Sequence, residues 1–148
     1  MLNNHQKNIA TFIHLSTFSR FFIPFGNLIG PIALWLINKD KSDFVDRHGK
    51  QAINFQISIL LYVLIIGVLT IPFFLFSFFT GIDIFHISGA LDFQFSFKRL
   101  SPVFFIAGGF GAFVVFSFLL ELALVVRASL KARDGELYNY PFTIKFLK

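Results

Sequence analysis

Between Ala52 and Phe79 the sequence runs for 28 residues without a charged side chain, and this stretch limits the fold more than any other feature. A helix of about 20 apolar residues already crosses a hydrocarbon core of about 30 Å. A run this long predicts a membrane-spanning helix that is tilted or ends near Pro72. Its entry is marked by Asp46-Arg47-His48-Gly49-Lys50-Gln51, where a charged segment gives way to apolar residues. From Arg47 onward, Gln51, Asn54, Ser58 and Tyr62 follow at steps of four, three, four and four, which sets one polar stripe on an otherwise apolar cylinder. Polar groups inside lipid must find partners, so the stripe is expected to face protein.

The remaining composition fits lipid as the main solvent, with 55% hydrophobic residues, 14% charged residues and 24 Phe. The absence of cysteine removes disulfides, thiol catalysis and thiolate metal sites, and four scattered histidines show no paired metal spacing. A net charge of +5 would suggest nucleic acid for a soluble chain. Here the Lys and Arg residues flank apolar runs, so anionic headgroups and membrane topology account for them and no nucleic-acid partner is expected. Neither a basic n-region nor a small-residue cleavage site accompanies the first apolar residues, so no removable signal peptide is expected.

A single membrane domain over residues 1–148 accommodates the whole pattern. Residues 8–38 are apolar but interrupted by Arg20, Pro24-Phe25-Gly26 and Gly30-Pro31. Either Phe21 to Asn38 spans once, at the lower limit of length, or the Pro-Phe-Gly break folds the segment into a broken helical hairpin. Gly26 and Gly30 have the spacing that lets helices approach closely. Residues 39–50 read as a charged aqueous loop, 51–79 as a transmembrane helix, and 80–101 as a connector. In the connector Phe93, Phe95 and Phe97 alternate with Asp92, Gln94 and Ser96, which reads either as a short β-hairpin around Ser88-Gly89-Ala90 or as an irregular loop. Residues 102–133 form the next transmembrane helix, opened by Pro102 and closed near Asp134-Gly135, and 134–148 an interfacial tail. Ala107, Gly108, Gly111 and Ala112 supply a second small-residue contact face.

Lys and Arg number four in the 39–50 loop, five after Val126 and two in the connector, so the loop and the C-terminus are placed in the cytoplasm. On that basis Glu121 and Asn54 lie at one depth, roughly 6 to 8 Å inside the boundary. A carboxylate there needs a donor, and Arg47, His48, Lys50, Gln51 and Asn54 are the expected ones, as a vestibule or as a clamp between helices. No catalytic arrangement, metal site or cofactor motif is expected. Ser16 near His14, His48 near Asp46, and the separate Asp83 and Asp92 lack a positioned third group, and the glycines at 108–111 sit inside a transmembrane run.

Phe25-Gly26-Asn27-Leu28-Ile29-Gly30-Pro31, Trp35-Leu36-Ile37, Lys39-Asp40, Phe44-Val45-Asp46, His48-Gly49-Lys50 and Ala52-Ile53-Asn54-Phe55-Gln56, with Tyr138, Tyr140-Pro141 and Thr143-Ile144 in the tail, resemble one family. It is the bacterial family of small membrane proteins of unknown function related to the channel-like component of the chloroplast inner-envelope import translocon. The resemblance runs from about residue 8 to 148 and is weakest in the connector. It implies an all-α integral membrane protein, a compact bundle of three to four transmembrane helices in a bacterial cytoplasmic membrane with both termini inside. Chloroplast relatives are associated with preprotein import and magnetosome-membrane relatives with crystal maturation, so the resemblance carries no single activity. The expected role is a non-enzymatic interaction or assembly module that binds lipid and other membrane proteins or itself. The rival is a component of a transport or protein-translocation pathway, built as an oligomeric channel lined by the polar stripe.

Overall fold

The computed structural model describes Leu2 to Lys148 except residues 82–84, 89–91 and 96, and the side-chain surroundings of residues 73–74, 77–81 and 85–107 also lie outside that description. In chain order the elements are α1 (Asn4–Leu15), a 3-10 turn (Ser16–Phe21), α2 (Gly26–Asn38), a second 3-10 turn (Lys39–Lys41), α3 (Asp43–Gly81), β1 (Phe85–Ser88), β2 (Asp92–Phe95) and α4 (Phe97–Asp134). They divide into two units, Met1–Tyr62 with Leu120–Lys148, and Val63–Leu119.

The first unit begins with a capping box. The Asn3 side chain accepts from His5 N, and the Gln6 side chain accepts from Asn3 N at 3.2 Å, which starts α1. The apolar segment over residues 8–38 is not one continuous helix. It breaks at Phe22–Phe25, where Phe25 takes a left-handed φ of 59°, and α2 folds back along the first 3-10 turn. Ser19 Oγ donates to the Gly26 carbonyl at 2.6 Å. A Cβ on Gly26 would come within 2.4 Å of the Ser19 backbone, and one on Gly30 within 2.5 Å of Ser16 O, so only glycine permits this approach. The 13 residues of α2 rise about 20 Å, short of the roughly 30 Å of a hydrocarbon core. This corrects the expected count of three to four spans. Among the described residues two helices are long and apolar enough to cross, over Asp43–Pro72 and Gly108–Asp134.

The aqueous loop expected over 39–50 is shorter than its charge suggested. Ser42 Oγ accepts from Val45 N at 3.2 Å, and Asp43 and Asp46 lie in the first turn of α3, where the helix dipole favours them. At the other end α4 stops at Gly135, with φ 85°, where Glu136 N donates to Lys131 O at 2.9 Å and Gly135 N to Ala132 O at 3.1 Å. Three apolar clusters hold the unit: Phe55, Val125, Ala128 and Tyr140; Ala10, Phe44 and Ala132; and Ile13, Val45 and Ala52. Each joins segments far apart in sequence.

The second unit, taken by itself, has the opposite character. On α3 Val63, Leu64, Val68, Leu69 and Ile71 are exposed, and on α4 Phe113, Val114, Val115, Phe116 and Leu119. Only 33% and 11% of the most apolar windows of the candidate spans are buried, unlike the mostly buried core helices of a soluble protein, which supports a lipid-facing role for their apolar faces. Thr70 hides its hydroxyl by donating to Ile66 O at 2.7 Å. In the connector β1 and β2 pair antiparallel, Phe85 opposite Phe95 and Ser88 opposite Asp92. The turn expected at Ser88-Gly89-Ala90, and the interfacial seating of Phe93, Phe95 and Phe97, lie outside the described residues.

Candidate functional site

The polar stripe on α3 has a partner, and it is the C-terminal tail. Gln51 Nε2 donates to Asn139 Oδ1 at 2.9 Å. Asn54 grips the Leu147 backbone at both ends, donating to its carbonyl at 2.9 Å and accepting from its N–H at 2.8 Å. Ser58 Oγ accepts from Ile144 N at 2.9 Å and donates to Asn54 O at 2.7 Å, and Tyr62 donates to Phe142 O at 2.7 Å. A tail without helix or strand carries unpaired backbone groups, and the stripe satisfies them at helical intervals.

Glu121 lies elsewhere. Sequence reasoning grouped it with Arg47, His48, Lys50, Gln51 and Asn54, but the structure pairs it with Arg20 in the first 3-10 turn. Arg20 Nη1 donates to Glu121 Oε2 at 2.9 Å, and Nη2 reaches Glu121 Oε1 as well as Gln56 Oε1. Gln56 Nε2 also donates to Glu121 Oε1 at 3.2 Å, and Asn27 Nδ2 to Gln56 Oε1 at 2.9 Å. The physical reason is helical phase: Gln56 is about 200° around α3 from Asn54, so equal depth puts Glu121 beside one and not the other. Arg20, Gln56 and Asn27 were missed. The signal was present, because Arg20 is the one charge between Asn8 and Asn38, Glu121 is the one charge between Pro102 and Val126, and two lone charges in apolar runs need each other.

A second buried network joins three elements. The Tyr140 hydroxyl lies 2.9 Å from His14 Nδ1, and His14 Nε2 lies 2.8 Å from His48 Nδ1. Burial, with His48 as a second cause, pushes the His14 pKa down to about 3, and burial also raises that of Tyr140 well above its ordinary value. Both groups are therefore neutral near pH 7, and His14 donates through one nitrogen while accepting at the other. Phe55 stacks on the Tyr140 ring at 4.0 Å, which seats the hydroxyl. Nearby, Trp35 Nε1 donates to Asp46 Oδ1 at 2.8 Å, and Asp46 pairs with Lys50 at 2.6 Å.

Arg47, His48, Lys50, Gln51 and Asn54 do converge, on a cavity of about 540 Å³ whose other walls come from the tail. The small-residue faces separate by use. Gly26 and Gly30 are closed against their own chain, whereas a Cβ on Gly108 or Gly111 would meet nothing within 4 Å and Ala112 is exposed. The side chain of Ala107 lies outside the described residues. Gly49, not anticipated as a contact, packs on Trp35, whose ring a Cβ would approach to 2.1 Å. Among the described residues no group of three or more His, Cys, Asp or Glu is arranged to hold a metal ion.

Two long, lipid-facing apolar helices joined to a unit with a buried polar core define a small integral membrane protein. Within that class the chain belongs to the magnetosome magnetite crystal formation protein family, MamF_MmsF, which matches residues 5–147. No curated protein and no solved structure matches it. The magnetosome side of the resemblance is thereby supported, and the relation to the chloroplast import component finds no support.

Proposed function

We propose that this chain acts in the magnetosome membrane as a non-enzymatic assembly module, pairing with a neighbouring membrane helix through Gly108, Gly111 and Ala112 of α4. The observation that carries the reading is the contrast between its glycines. Gly26 and Gly30 are filled by their own chain, while Gly108 and Gly111 present open backbone in a helix apolar enough to span. Helices in lipid associate by close backbone approach at such small residues, because lipid supplies no hydrophobic force between them. The partner is another membrane protein of the same compartment or a second copy. The family's role in magnetite crystal formation would then reach this chain through what it assembles.

The transport reading is the weaker one. Gln51, Asn54, Ser58 and Tyr62 would have lined its path, and all four are engaged by the tail. Photoreactive residues at Val114 and, as a control, at Lys41 would capture neighbours in native membranes. Defined membrane proteins or a second copy are expected from Val114, with yield falling about tenfold in Gly111→Leu, equivalent to about 1.4 kcal/mol of helix contact. Capture of lipid alone from Val114 would overturn the proposal.

A further inference from the structure

The cavity beside the α3 stripe is a built cationic site. Arg47 and Lys50 reach it from α3, and Lys145 and Lys148 from the tail, with Leu137 and Leu147 among its walls and no carboxylate side chain. Lys50 is held by Asp46, but Arg47, Lys145 and Lys148 have no ion pair among the described residues. Even with Asp46 counted, a cationic excess remains.

The tail brings these charges together. Asn54 and Ser58 fix the Leu147 and Ile144 backbones, which places Lys145 and Lys148 against a helix some ninety residues away in sequence. Converging like charges raises the energy of the fold unless an anion offsets them, and the effect is stronger beside a low-dielectric membrane than in bulk water. The site also lies at the end of a span that starts at Asp43, the level at which headgroups lie. Arg47 offers a planar fork and the lysines offer point charges, a set suited to phosphate oxygens. The apolar walls suit the glycerol and upper acyl region of an amphiphile.

We infer that this cavity binds a phosphate-bearing anion, presented either by an anionic phospholipid headgroup or as free phosphate. The inference is independent of the helix-pairing role. The full chain, reconstituted in nanodiscs of phosphatidylcholine mixed with phosphatidylglycerol, would be extracted and its retained lipid counted by native mass spectrometry. A parallel arm would titrate lipid-free protein in detergent with inorganic phosphate and follow thermal stability. Retention of phosphatidylglycerol over phosphatidylcholine identifies the lipid source, and saturable stabilisation by phosphate alone identifies the free anion.

In either arm Lys145→Gln/Lys148→Gln is expected to weaken binding about 30-fold, from about 1 kcal/mol per cation. Arg133→Gln, a charge removed outside the cavity, is expected to leave binding unchanged. Arg47→Gln tests the same site from α3, so a loss there cannot be assigned to a loosened tail. Binding of neither anion, or equal weakening by Arg133→Gln, overturns the inference.

Discussion

Arg20 and Glu121 show what a single charge does in an apolar surrounding. Each would be costly alone, and together with Gln56 and Asn27 they form a hydrogen-bonded cluster in which the Arg20 Nε alone of the guanidinium nitrogens lacks a partner among the described residues. In Glu121→Gln the guanidinium keeps its burial and loses its counter-charge. Because 22% of the Arg20 side chain stays exposed, the expected loss is about 2 kcal/mol, below that of a fully buried pair. Thermal unfolding in detergent would register it, and a neutral result would show that water replaces the pair. His14 supports a second expectation. Its pKa lies below the ordinary 6.5, at about 3, so between those values the unfolded chain binds a proton that the folded chain refuses. The contribution of His14 to stability is therefore full above about pH 6.5 and is lost as pH falls toward 3, by at most about 1.4 kcal/mol per unit. Unfolding midpoints measured from about pH 7.5 down to about pH 5 should fall, and His14→Gln should flatten the slope. A wild-type midpoint insensitive to pH would contradict this. The depth of Glu121 was legible in the sequence, but its partner was not. Depth follows from counting along one helix, whereas partner choice depends on the angle around α3 and on a turn that no periodicity announces.

At the level of the helix, glycine pairs with one spacing have different uses, and neighbours decide which. Gly30 and Gly49 are occupied by Ser16 and by the Trp35 ring, whereas Gly111 is open. Gly49→Ala forces a methyl into that ring and is expected to destabilise by about 1–3 kcal/mol. Gly111→Ala adds only helix propensity and should be neutral to slightly stabilising, by up to about 1 kcal/mol. Equal effects of the two changes on the unfolding midpoint would refute this division. The sequence marks Gly26 and Gly30 as a pair by their spacing, and a Cβ at either would meet the Ser16–Ser19 backbone. It left Gly49 inside a charged motif, since the residue that fills its space, Trp35, lies in another helix. It also over-counted the spans, because the apolar stretch over residues 8–38 is long in residues but divided at Phe22–Phe25 into pieces too short to cross. The α3 stripe was legible as a polar line needing a partner. Its partner, the tail, carries its bonding groups on the backbone and so left no side-chain signature.

For the molecule as a whole, the remaining question is which way it crosses the bilayer. If both candidate spans cross, the start of α3 and the end of α4 are expected on one side of the bilayer and the segment between the spans on the other. The first unit carries Lys39, Lys41, Arg47 and Lys50 near the entry of α3, and Arg127, Lys131, Arg133, Lys145 and Lys148 near the exit of α4. The connector carries Lys98 and Arg99. Since Lys and Arg in short flanking segments are retained on the cytoplasmic side, the polar core and the basic cavity are expected to face the cytoplasm. The chain lacks cysteine, so each introduced thiol reports one position. In intact cells Lys41→Cys and Lys145→Cys should resist a membrane-impermeant maleimide until the membrane is opened. If the connector lies in an internal compartment instead of outside the cell, a cysteine at Ser88 should also stay hidden in intact cells, but isolated vesicles with their cytoplasmic face outward would label Lys41→Cys and Lys145→Cys and protect Ser88→Cys. Labelling of Ser88→Cys together with Lys145→Cys on such sealed vesicles would mean that the charge count does not set the orientation.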